Sequence, residues 1–79
     1  MADKVTEAQA QFTRLKAFVN SVKGPLTPSN PMYDEAKAKL QELQEARMTA
    51  RKVAASNPGW PSENDFFDLQ NKLRAAMAS

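Results

Sequence analysis

Apolar residues recur at helical spacing in three stretches of this chain, and two proline-containing breaks keep the stretches apart. The first stretch is the clearest. Val5, Ala8, Phe12, Leu15, Val19 and Val22 follow one another by alternating steps of three and four, which places them on one side of an α-helix. The spacing predicts a helix over 3–23, with Asp3 or Thr6 at its N-terminal cap and Thr6 and Gln9 at the separation of a capping box. Phe18 falls just off the stripe. So short a seam is expected to pack inside a bundle, with association between copies as the alternative, because a free coiled coil sustains more heptads. Gly24-Pro25 ends the helix: glycine accepts the left-handed cap, and proline commonly follows it.

The middle stretch, Pro31 to Ser56, is the longest run without glycine or internal proline. Its interior of Ala, Lys, Leu, Gln, Glu and Arg consists of strong helix formers. Asn30 and Pro31 make a start signal, a capping side chain before a residue that loses no hydrogen bond in the first turn. Asp34 and Glu35 near the start, with Arg47, Arg51 and Lys52 toward the end, complement the helix dipole. A helix over 31–56 would be about 39 Å long. On a wheel of about 100° per residue, Tyr33, Ala36, Leu40, Leu43, Ala50 and Ala54 share one face, with Ala46 and Val53 at its side. Arg47 stands where a strict heptad puts an apolar residue. Its stem is expected on the core and its guanidinium in water. Glu42 and Glu45 are expected on the solvated outer face. The short connection before this helix, residues 24–30, makes the first two helices antiparallel neighbours, and Leu26 is placed to plug the end of the core.

Asn57-Pro58-Gly59 ends the middle helix. Trp60 follows, held between Gly59 and Pro61, as a lid on the bundle end or as an exposed anchor of the kind enriched at binding hot spots. Ser62 then opens a third helix over 62–77, with Asp65 three residues on to answer the cap. Phe66, Leu69, Leu73 and Ala76 form its stripe with Met77 beside them, and Phe67 points about 100° away. The last residues are expected to be loose.

Length changes this picture little: 79 residues make one domain over 1–79, marginal alone unless its helices pack well or associate. The fold class is therefore all-α, a small antiparallel three-helix bundle built as a long helical hairpin with a shorter third helix. The formal charge is only +2, so the basic pI of about 9.2 is poor support for nucleic-acid binding. There is no cysteine, which fits a reducing compartment, and the expected location is the cytoplasm or a particle assembled inside the cell. The stretch MADKVTEAQAQ lacks the apolar core of a secretory signal, and no apolar run approaches the roughly 20 residues of a membrane span.

The chemistry-bearing residues are few. Without histidine or cysteine, the usual general base, soft metal ligands and most nucleophile–base pairs are missing. The two glycines, Gly24 and Gly59, make no phosphate loop. The expectation is a protein that is not an enzyme and uses no cofactor, metal or small-molecule substrate. A helix-turn-helix reading meets Glu63, Asp65 and Asp68 at the start of the third helix, the part that would approach DNA phosphates. A membrane-surface role would need a stronger basic face than Arg14, Lys16 and Lys23 provide beside Glu7.

Protein–protein contact remains. Phe18, Met48, Trp60 and Phe67 are large residues that miss the three stripes, and Lys37, Arg47 and Arg51 share one flank of the middle helix, where an acidic partner could meet them. The expected function is a protein interaction or assembly module, such as an accessory or structural subunit, a virion component or a docking inhibitor, binding another protein or copies of itself. A small nucleic-acid-binding regulator is the alternative. Pro28-Ser29-Asn30-Pro31, followed by Lys39-Leu40 and Glu42, locally resembles the turn of type III secretion needle subunits, helical hairpins that polymerise. The pattern departs at NPGWP, where those subunits continue as a helix, and no family is assigned.

Overall fold

The computed structural model describes residues 3–23 and 25–77. Gly24, the expected stop of the first helix, and Ala78 and Ser79, at the expected loose end, lie outside the described residues. Three helices form: α1 over Lys4–Ser21, α2 over Tyr33–Val53 and α3 over Glu63–Met77, with one 3-10 turn at Ala54–Ser56 extending α2.

The helix starts follow local side-chain chemistry. Asp3 caps α1, its carboxylate accepting the Val5 N–H at 3.2 Å. Thr6 lies inside the helix, three residues past the Asp3 cap, so it is not the N-cap, and the Gln9 amide donates instead to the Gly59 carbonyl at 2.8 Å. At α3 the expected box is present: Asp65 N–H donates to Ser62 Oγ at 3.1 Å, and Ser62 N–H donates to the Asp65 carboxylate at 3.2 Å. The start of α2 differs from the expectation. Asn30 folds into a local turn, its side chain accepting the Met32 N–H at 2.9 Å and its carbonyl accepting the Tyr33 N–H at 2.9 Å. Pro31 therefore sits inside that turn, and Met32 holds the cap position of α2.

The three helices run up, down and up. Arg14 of α1 meets Glu42 of α2, while Phe18, further along α1, lies under Lys39, further back on α2. Arg51 of α2 meets Glu63 at the start of α3, and Gln44 meets Gln70. Phe12 of α1 stacks edge-on against Phe66 of α3, centroids 5.6 Å apart and planes at 88°. The result is the antiparallel three-helix bundle that the stripes imply, about 41 × 23 × 16 Å.

Leu15, Leu43, Phe66 and Leu73 are sealed at its centre. Ala36, Ala46 and Ala50 keep the core face of α2 slim, and α2 and α3 are the closest pair of helices. Ala46 belongs to this face rather than to its side, since α2 has to meet α3 as well as α1. Leu26 plugs the end as expected: it is buried, and its N–H donates to the Ala76 carbonyl at 2.9 Å, tying the α1–α2 loop to the end of α3.

Candidate functional site

α1 covers one side of the α2–α3 pair, and the other side is open. Along α2 the residues there are Lys37, Gln41, Gln44, Met48 and Arg51, spaced as one helical stripe and all exposed. Along α3 they are Glu63, Phe67, Gln70 and Arg74. The antiparallel register sets these two rows side by side. At one end, Lys37 and Arg74 flank a shallow depression of about 290 Å³ floored by Leu40, Gln41, Gln44 and Gln70.

A polar ladder holds the two rows together. Gln70 is only 1% exposed; its amide donates to Gln44 Oε1 at 2.9 Å, and its Oε1 accepts from Arg47 Nη1 at 2.9 Å. Arg47 Nη2 lies 3.7 Å from Glu63, which Arg51 approaches at 3.9 Å. The Arg47 guanidinium also covers the Phe67 ring, 4.4 Å from its centroid. Its Nε is shielded from solvent and has no hydrogen-bond partner among the described residues. The expectation that Arg47 leaves its guanidinium in water is thus corrected. α3 supplies a ring, an amide and a carboxylate within reach, so the head group is held by the neighbouring helix instead.

The four large off-stripe residues separate into two pairs. Met48 is 51% and Phe67 37% exposed. Phe18 and Trp60 are half-buried and pack against the core. Phe18 carries Lys39 Nζ over its ring at 5.9 Å. Trp60 lies over the start of α1, lining a second depression of about 380 Å³ with Lys4, Glu7, Ala8, Gln11 and Arg14. Gly59 sets that approach. Its φ is +91°, and a Cβ there would stand 3.3 Å from Val5 Cγ1 and 3.4 Å from Gln9 Nε2. Lys37 lies with its Nζ 5.7 Å from the Tyr33 ring.

Glu42 is a second correction. It is half-buried between α1 and α2 rather than free on the outer face. It accepts from Arg14 at 2.7 Å and Gln11 at 3.1 Å, with Lys39 at 4.0 Å. Burial alone would raise its pKa, but the hydrogen bonds from Gln11 and Arg14 and the charges of Arg14 and Lys39 outweigh it and hold the carboxyl below its ordinary value.

Gln70, Glu63 and Arg74 are members of the open face that the apolar stripes pass over. Spacing alone carried a signal for Gln70: with Phe66, Leu69 and Leu73 buried, it fills the remaining i+4 position of the same inward face.

Among the described residues no cluster of His, Cys, Asp and Glu could hold a metal ion, and no helix is long and apolar enough to cross a membrane. Comparison with known proteins finds no matching family model, no matching curated protein and no matching solved structure.

Proposed function

We propose that the chain is a non-enzymatic docking module, an accessory or structural subunit that binds another protein through the open α2–α3 face. One observation carries this reading. Met48 and Phe67 are the large hydrophobic residues left exposed among the described residues, and both stand on that face, the Phe67 ring fixed under Arg47. Single exposed hydrophobics are ordinary. A rigid aromatic and a methionine sharing one face with a mostly apolar depression and arginines have the make-up of a hot-spot cluster. The absence of histidine and cysteine supports the non-enzymatic part.

The test is affinity capture with the full chain from cells that express it, after nuclease treatment and at low and high salt, using wild type and the Met48→Ser/Phe67→Ser double variant. Capture of a protein that survives nuclease and salt and is lost with the double variant supports docking. Capture of nucleic acid that falls steeply with salt and ignores both substitutions overturns it in favour of a nucleic-acid regulator.

A further inference from the structure

We infer that the occupant of the α2–α3 face is an acidic amphipathic helix of a different protein, lying along the groove as a fourth helix; this inference rests on the docking reading above. The shape argument comes first. Two antiparallel helices covered by α1 on one side leave a lengthwise groove on the other, the place a further helix takes in a four-helix bundle. From Lys37 to Arg51 the groove is about 21 Å long, four turns of a partner helix. The Leu40 depression, Met48 and Phe67 give apolar contact points along that length.

Charge then selects the occupant. The α2 stripe of Lys37, Gln41, Gln44, Met48 and Arg51 contains no carboxylate, and α3 opposes it with Arg74 at one end and Glu63 at the other. Glu63 is already shared by Arg47 and Arg51. Lys37 and Arg74 therefore remain exposed cations beside the depression, with Asp34 one turn before Lys37 and Glu45 one turn beyond Gln41 as flanking carboxylates. A second copy docked over the Lys37–Arg74 depression would set these cations against their own kind, which opposes a symmetric dimer centred there. A helix with apolar residues at i, i+3, i+4 and i+7 and glutamates or aspartates on its flanks meets both features.

The experiment titrates two peptides into the isotopically labelled full chain and follows its amide shifts. One is an 18-residue amphipathic helix of Leu and Ala flanked by Glu; the other has Lys at every Glu position. The expected result is that the acidic peptide moves the amides of Lys37, Gln41, Gln44, Met48, Phe67 and Arg74. The Lys peptide should bind at least about tenfold more weakly, and Lys37→Glu/Arg74→Glu should weaken the acidic peptide by about tenfold. Equal binding of both peptides on this face overturns the acidic preference and leaves the docking reading standing. Failure of both to shift the face at millimolar concentration overturns the two together. Concentration-dependent shifts of the same amides without peptide, with a doubling of mass in light scattering, identify a second copy as the occupant and overturn the inference.

Discussion

The guanidinium of Arg47 lies over the ring of Phe67, 4.4 Å from its centroid, while the same side chain donates to the buried Gln70. One arginine thus fixes an exposed aromatic on α3 and satisfies a polar group inside the α2–α3 contact. Arg47→Ala removes both interactions and leaves Gln70 Oε1 without its donor in a dry position. The expected loss is about 1–3 kcal/mol in urea denaturation. For a chain of this size each kcal/mol lowers the melting temperature by about 4–8 °C. Arg47→Lys should fall between the two, since an ammonium cannot stack on the ring and reach Gln70 with a planar fork.

Gly59 is where the turn before α3 comes against α1. Its φ is +91°, and a Cβ added there would lie 3.3 Å from Val5 Cγ1 and 3.4 Å from Gln9 Nε2. Gly59→Ala should therefore cost about 1–3 kcal/mol. Gln9→Ala, which removes only the bond to the Gly59 carbonyl, should cost about 0.5–1.5 kcal/mol. Trp60 emission should shift to the red in the glycine variant as its seat on α1 loosens.

Glu42 gives a pH dependence of known sign. Its folded pKa lies below the ordinary 4.5, so the folded state binds this proton less readily than the unfolded chain. The stabilisation is present above about pH 4.5 and is lost as pH falls through the folded value. Glu42→Gln should therefore be less stable than wild type at neutral pH, by no more than about 1 kcal/mol for a pair this exposed. The difference should narrow as the pH drops below 4.5. A difference that stays constant down to strong acid would show that the carboxylate charge is not what Arg14 and Gln11 hold.

The Ser62–Asp65 box is exposed and opens α3. Ser62→Ala should cost about 1 kcal/mol and Ser62→Asp much less, read as thermal midpoints by circular dichroism.

What the sequence revealed and what it hid follow from the range of the interactions involved. The three helices, the Val5-to-Val22 stripe and the Ser62–Asp65 box rest on periodicity and on contacts a few residues apart, and all were legible; Leu26 was legible as an apolar residue in a short connection, although its bond to the Ala76 carbonyl reaches across the chain. The start of α2 was misplaced because Asn30 can serve either a helix cap or a turn, and local spacing favours neither. Arg47 and Glu42 were harder, and so were the partners of Gln70, whose inward place the i+4 step from Phe66 does indicate. Each is a polar residue whose hydrogen-bond partners lie on a helix more than twenty residues away in sequence, and a hydrophobic wheel of one helix has no information about that neighbour. Phe67 was legible as an outward residue from its angle to Phe66. Its company on the open face, Arg47 above it and Arg74 one stripe position beyond Gln70, came only with the α2–α3 register.

The most direct test of the account is a binding isotherm of wild type and of Met48→Ser/Phe67→Ser for the protein that wild type captures. Both residues are exposed, so the double variant should keep its helical spectrum and lose no more than about 1 kcal/mol of stability, chiefly the Arg47 stack. Its affinity should fall by at least about thirtyfold, as expected when two hot-spot side chains are removed. A folded double variant that binds as tightly as wild type would contradict the account and place the docking surface elsewhere on the bundle.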